Sequence, residues 1–157
     1  MNTPTPKEII DRTTKLISKG WIQGQYFDDP QGIETPATAA SFCTVGALYT
    51  AWLQLTDATA EMDQPAVDLR GMPRVVLETL CECILDEDLG EADYSIAPED
   101  LLGGRIIHWN DSRGSVQEVI EALGAASSIL GTIEHGAVGA AEAVVNDIEA
   151  VTQEVPC

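Results

Sequence analysis

Three residues have side chains that could perform nucleophilic catalysis together. Cys43 offers a thiol, His108 a general base, and Asp111 a carboxylate that could orient the imidazole. Gln23 or Gln25 could help to hold an oxyanion in such a site. These residues would make the protein a cysteine-dependent hydrolase or transferase.

The catalytic interpretation competes with a structural one. The order of the cysteine, histidine and aspartate is that of papain-like hydrolases, but such an order arises easily in a chain with 26 acidic residues and two histidines. The residues around Cys43 match no local signature of that superfamily. We therefore favour a structural role for Cys43, in which the thiol is buried and inert.

A helix from Ser41 to Leu55 is predicted to position Cys43. Its bulky apolar residues share one face and its small residues share another, so we expect burial on more than one side and close approach by a neighbouring element. Cys43 stands near the helix start, where exposed N–H groups and the helix dipole would lower a thiol pKa.

Capping signals place the other helices. Thr5 and Pro6 begin a helix that Gly20 ends, Pro73 opens another, and Ser115 with Glu118 starts a third. Residues 97–102 indicate a short helix stopped by two glycines, and an extended segment or turn is predicted near 105–109. Asn110 and Asp111 could form an Asx turn.

These elements predict a mostly helical fold, with four or five helices around the one from Ser41 to Leu55. We expect one domain over residues 1–131 and a helical extension over 132–157 with a frayed end. Glycines break the pattern after residue 130. The extension carries a narrow apolar seam, whose members are Val138, Ala141, Val145 and Ile148.

The charge of the chain restricts its partners. Eight basic residues oppose 26 acidic ones, for a net charge of -18, and half of the basic residues precede residue 20. Such a field argues against direct binding to nucleic acid or anionic membranes and permits a basic protein partner or mimicry of nucleic acid. With no secretory signal or membrane span, reduced cysteines and a cytoplasmic location are expected.

No cofactor and no metal site are predicted. Cys81 and Cys83 could combine with His108 or His135 on zinc, but their spacing of one residue places them on different sides of a helix. The acidic cluster at 86–93 lacks the alternating oxygen ligands and central glycine of a calcium loop.

Three short blocks carry a resemblance to a known family. They are residues 21–26 (WIQGQY), 42–48 (FCTVGAL) and 109–111 (WND), the last followed by the helix at Ser115. Over about residues 6–128 the chain resembles an uncharacterised domain family of actinobacteria and their bacteriophages. The resemblance implies an origin and a domain extent, and it implies no activity.

The residues therefore favour a small, acidic, non-catalytic binding or accessory protein, phage-encoded and acting through protein contacts. Its contact residues would come from the same blocks, namely Trp21, Gln23, Tyr26, Trp109 and Asn110. The alternatives are the hydrolase or transferase described above and an acidic mimic of nucleic acid. Any association between copies is expected to use residues 138–152.

Overall fold

The computed structural model describes residues 3–28, 35–58, 61–64, 66–84 and 98–153, with the backbone alone from residue 138 onward. Within these ranges the chain forms five helices: α1 (Pro6–Ile17), α2 (Thr44–Thr56), α3 (Arg74–Cys83), α4 (Pro98–Ser112) and α5 (Val116–Gln153). Two short strands, β1 (Phe27–Asp28) and β2 (Ser41–Phe42), pair antiparallel. The predicted mostly helical fold is confirmed.

Helix α1 begins at the predicted capping box. The Thr5 hydroxyl accepts a hydrogen bond from the Glu8 N–H at 3.2 Å, and the Glu8 carboxylate accepts one from the Thr5 N–H at 2.8 Å. One face of the helix is buried against its neighbours, through Ile9, Ile10, Thr13, Leu16 and Ile17. This helix contacts α2, α3 and α5 and so joins most of the domain.

Helix α2 is buried on both of its predicted faces, since nine of its 13 residues are buried. It begins later than predicted, because Ser41 and Phe42 lie in β2 and Cys43 is the N-cap. The face of small residues admits a neighbouring chain segment, as expected. A Cβ atom at Gly46 would clash with the carbonyl oxygen of Tyr26, so only glycine allows this approach.

Helix α4 corrects two predictions. Residues 98–102 do not form a short helix stopped by Gly103, and residues 105–109 are not extended, because one helix covers both segments. Residue 97 of the predicted short helix lies outside the described residues. Glycine costs a helix about 1 kcal/mol at each position, whereas burying Ile106 and Trp109 contributes roughly 1.5–3 kcal/mol each. Gly103 also packs closely on Leu69, since a Cβ there would lie 2.9 Å from Cδ1.

Helix α5 corrects a third prediction, because its backbone continues through Gly131 to Gln153 without a break. Gly131 is buried beside the Lys7 side chain of α1. The side chains of the predicted seam, Val138, Ala141, Val145 and Ile148, lie outside the described residues, as do the acidic cluster at 86–93 and residues 154–157. The division of the chain at residue 131 stays a prediction.

The helices pack in a continuous core. Helix α5 lies mainly against α1 and α3, while α4 lies against α2 and α3. On α1, the Lys7 ammonium group pairs with Asp11 at 2.5 Å, and Asp11 also accepts a hydrogen bond from the Ser127 hydroxyl of α5 at 2.6 Å. Among the described residues, no helix is both long and apolar enough to cross a bilayer.

Candidate functional site

The three blocks of the sequence analysis meet at the N-terminal end of α2. Residues 20–26, which precede β1, lie along the start of this helix and are held there by backbone hydrogen bonds. Phe42 donates to the Gly20 carbonyl at 2.9 Å, Ile22 donates to the Phe42 carbonyl at 3.1 Å, and Cys43 donates to the Tyr26 carbonyl at 3.0 Å. The last turn of α4 completes the arrangement through its side chains.

Asn110 is the centre of this arrangement and is fully buried. Its Oδ1 accepts hydrogen bonds from Trp21 Nε1 at 2.8 Å, from the Thr44 hydroxyl at 2.8 Å and from the Thr44 N–H at 3.1 Å. Its Nδ2 donates to the Ile22 carbonyl at 3.1 Å and to Asp111 Oδ1 at 3.0 Å. Both donors and the acceptor of the amide are thus satisfied, as a buried amide requires.

Gln23 and Asp111 extend these contacts to the end of α4. Gln23 Nε2 donates to the carbonyl oxygens of Asn110 and Arg113 at 2.9 and 3.0 Å, which satisfies acceptors that the helix end leaves open. Asp111 Oδ1 accepts from the Gly24 N–H at 3.0 Å. Gly24 has a φ of 77°, a conformation that favours glycine, which explains why a glycine occupies this position of the block. We call residues 21–24, Thr44, Asn110 and Asp111 the Asn110 network.

Trp109 contributes to the core beside this network. Its indole is buried, and the Arg113 guanidinium lies 5.6 Å from the ring centroid. Arg113 also pairs with Glu118 of α5 at 3.6 Å, so it connects the end of α4 to the next helix. Four of the five predicted contact residues, Trp21, Gln23, Trp109 and Asn110, therefore make contacts that support the fold. The fifth, Tyr26, is 39% exposed.

A pocket of about 230 Å³ opens between the network and α4, and we call it the Tyr26 pocket. Its lining residues are Gly24, Gln25, Tyr26, Cys43, Ile107 and Asp111. Cys43 is buried and lies at the base, whereas Gln25, Tyr26 and Asp111 are exposed at the rim. The volume lies below the roughly 300–1,000 Å³ of typical small-molecule sites, so it suits a single side chain better than a cofactor.

The thiol of Cys43 is buried, as its structural interpretation predicts, but its place at the helix start does not lower its pKa. Burial raises the pKa of Cys43 to about 11, even though the Gly46 and Val45 N–H groups at the helix start act to lower it. The Asp111 charge also acts to raise this pKa. The Sγ atom accepts from the Gly46 N–H at 3.4 Å and so caps α2. At neutral pH Cys43 is therefore a protonated, structural thiol rather than an activated one.

The structure brings Cys43 and Asp111 together at this pocket but leaves His108 outside it. His108 is exposed on α4 and is not among the residues that line the pocket. Gln25 lies at the rim, while the Gln23 amide is engaged with carbonyl oxygens of α4. In the part of the chain that the structure describes, no three His, Cys, Asp or Glu side chains form a group that could hold a metal ion.

Sequence reasoning missed two residues of this region. Thr44 is fully buried and contributes both its hydroxyl and its N–H to Asn110. Ile107 lines the pocket from a segment that was expected to be extended. A threonine directly after the helix cap is a usable signal, because a buried hydroxyl needs a partner. The position of Ile107 follows only from the continuity of α4.

Comparison with known proteins identifies a family and no closer relative. The model of DUF6197, described as a family of unknown function, matches residues 1–128. No curated protein and no solved structure gives a match. The matched region contains the Asn110 network, the Tyr26 pocket and the first turns of α5. Because the match covers well over half of the 157 residues, the chain belongs to the family of unknown function DUF6197.

Proposed function

We propose that this protein is a non-catalytic binding module that accepts one basic side chain of a partner protein in the Tyr26 pocket. The observation that carries the proposal is the composition of the pocket, which combines a protonated thiol at its base with a tyrosine and a carboxylate at its rim. The resemblance of the three blocks to actinobacterial and phage proteins supports a place among phage-encoded accessory proteins.

The lining of the pocket favours recognition over catalysis. A cysteine nucleophile needs an adjacent base or a lowered pKa, whereas burial raises the pKa of Cys43 and His108 lies outside the pocket. The polar groups of the Asn110 network, which include Trp21, Gln23 and Asn110, are engaged in the hydrogen bonds that hold the fold. The exposed side chains of Gln25, Tyr26 and Asp111 at the rim remain available to contact a ligand.

Charge favours a basic partner. Asp111 is the only charged residue among the six that line the pocket, and the chain as a whole has a net charge of -18. The Gly24 N–H and Asn110 Nδ2 both bond to Asp111 Oδ1, which fixes the orientation of the carboxylate. A lysine or arginine could place its aliphatic stem against Ile107 and its charged end beside this carboxylate. The acidic field would also accelerate the approach of a basic protein.

Titration with n-butylammonium, a mimic of the lysine side chain, tests the proposal by nuclear magnetic resonance. We expect saturable shifts of the Gly24 amide signal, and a Kd at least tenfold weaker for Asp111→Asn. This substitution keeps an oxygen for the Gly24 N–H and removes the charge. Asp63→Asn, at an exposed position outside the pocket, is the matched control and should leave the Kd unchanged.

Two results would overturn this assignment. Equal weakening by both substitutions would indicate general attraction to an acidic surface, and the absence of saturable shifts would show that the pocket takes no basic side chain. n-Butanol, which lacks the charge, should bind more weakly than n-butylammonium.

Thiol labelling separates the binding proposal from the hydrolase. We expect Cys43 to react far more slowly in the native protein at neutral pH than in the denatured chain, because its thiol is buried and protonated. Fast native labelling of Cys43 that is lost in His108→Ala would instead favour a cysteine-dependent enzyme. This experiment needs no knowledge of the partner.

A further inference from the structure

Asp111 leaves only one of its two carboxylate oxygens for a ligand of the Tyr26 pocket. Its Oδ1 accepts from the Gly24 N–H and from Asn110 Nδ2, both at 3.0 Å. A carboxylate oxygen has two lone pairs, so these bonds use the capacity of Oδ1. Oδ2 accepts no hydrogen bond from the residues that the structure describes, and the side chain is exposed at the rim. A bound cation therefore contacts Oδ2.

The two basic side chains need different contacts from a carboxylate. A guanidinium is planar, and its strongest contact places two N–H groups side by side on the two carboxylate oxygens. An ammonium is a compact point charge, for which one oxygen is enough. Because Asp111 Oδ1 is already used, the pocket denies the bidentate contact of arginine and allows the contact that lysine makes.

The other side chains of the lining favour the smaller number of donors. After one bond to Asp111 Oδ2, an ammonium has two N–H groups left and a guanidinium has four. The Gln25 and Tyr26 oxygens at the rim can accept from a bound cation, whereas the Cys43 sulfur already accepts from the Gly46 N–H. A donor that loses water without gaining a partner weakens binding. The Tyr26 ring attracts either cation and does not discriminate between them.

We propose that the Tyr26 pocket selects the ammonium of a lysine side chain over the guanidinium of arginine, with Asp111 Oδ2 as the selecting group. This inference rests on the proposed function, which requires only a basic side chain. A free N-terminus also carries an ammonium, but it lacks the aliphatic stem that can pack on Ile107. Acetylation of the partner's lysine would remove the charge and release the partner.

Titration with two probes of equal charge tests the selection. n-Butylammonium reproduces the side chain of lysine, and n-propylguanidinium reproduces that of arginine. Both carry one positive charge, so general attraction to a protein of net charge -18 largely cancels from the ratio of their Kd values. From the saturable shifts of the Gly24 amide signal, we expect a Kd at least about fivefold lower for n-butylammonium. Glycine amide, an α-ammonium without the stem, should bind more weakly than n-butylammonium.

Asp111→Glu tests the cause of the selection. The added methylene displaces the carboxylate from the Gly24 N–H and Asn110 Nδ2, so both of its oxygens become available to a guanidinium. We expect the preference for n-butylammonium to disappear or reverse. The matched control Asp63→Glu adds the same methylene at an exposed position outside the pocket and should keep the preference. Circular dichroism checks that both variants fold, and the ratio for the unmodified chain needs no variant.

The possible failures can be told apart. Equal Kd values for the two probes, or tighter binding of n-propylguanidinium, would overturn the selection of lysine and leave the proposed function intact. The absence of saturable shifts with either probe would overturn both. An unchanged preference in folded Asp111→Glu would show that the bonds to Oδ1 do not cause the selection. Tighter binding of glycine amide would assign the pocket to a free N-terminus instead of a lysine.

Discussion

Replacing Asn110 by alanine should destabilise the domain more than a typical substitution, because it removes the centre of the Asn110 network. Thr44 is fully buried, and both its N–H and its hydroxyl donate to Asn110 Oδ1. Each buried group left without a partner costs about 1–3 kcal/mol. Trp21 is only partly buried, so water can replace its partner at smaller cost.

We therefore expect Asn110→Ala to lower the free energy of unfolding by about 4 kcal/mol, a large part of the 5–15 kcal/mol that folded domains possess. Urea unfolding followed by circular dichroism measures the change. Gln25→Ala is the control, because Gln25 is exposed at the pocket rim, and its effect should stay within about 0.5 kcal/mol.

A double-mutant cycle with Thr44→Ala tests whether the shared bond causes the loss. The two residues are in direct contact at 2.8 Å, so the double variant should lose less stability than the two single variants together, by roughly 1 kcal/mol. A loss below about 1 kcal/mol for Asn110→Ala, or full additivity in the cycle, would refute the reasoning that these bonds stabilise the fold.

Three further predictions concern packing, pH and salt. Gly46→Ala should destabilise the domain by about 3 kcal/mol in urea unfolding, because its Cβ would clash with the Tyr26 carbonyl. The control Gly104→Ala places a Cβ with no atom within 4 Å and should be neutral or stabilising. The pKa values of Cys43 and Cys81 are raised to about 11 in the fold, so the unfolded chain releases these protons at lower pH than the folded chain. The free energy of unfolding should therefore fall from about pH 9 to 11, and Cys43→Ala should flatten this dependence. Added NaCl should raise the melting temperature at neutral pH by screening the net charge of -18, and a steady decrease would mean that attractive pairs dominate.

Local patterns in the sequence predicted the parts of the fold that depend on neighbours along the chain. The capping box at Thr5 and the two buried faces of α2 rest on spacings of three and four residues, and both are present. The start of α2 was displaced because Ser41 and Phe42 pair with β1, a contact between segments that local spacing does not report.

The glycines misled the prediction for α4 and α5. Gly103, Gly104 and Gly131 weaken a helix locally. Both helices nevertheless continue, because residues distant in the chain pack against α4 and α5. Leu69 approaches Gly103, and the Lys7 side chain lies beside Gly131. Such contacts join residues more than 30 positions apart, and a helix-breaking propensity of about 1 kcal/mol does not outweigh them.

Only part of the candidate site could be predicted from the sequence, since Thr44 and Ile107 were missed and the roles of the other residues depend on the fold. The three blocks supplied Trp21, Gln23, Tyr26, Trp109 and Asn110, but the bonds among them span as many as 89 positions in the chain. The pKa of Cys43 shows the same limit. Its place at a helix start predicted a lowered value, whereas the degree of burial, which only the folded chain determines, dominates and raises it.

The Asn110 network links the Tyr26 pocket to the stability of the domain. One oxygen of Asp111 holds both the Gly24 N–H at the pocket rim and the buried Asn110 amide. A bound cation that orders this carboxylate would therefore also stabilise the contact between residues 21–24 and α4, because a ligand that binds only the folded chain raises its stability by mass action. A change in binding after mutation of Asn110 would combine the effect of lost stability with the effect of lost recognition. Asp111→Asn separates the two effects better, because it preserves an acceptor oxygen for both donors while it removes the charge and replaces the second carboxylate oxygen with an NH2 group.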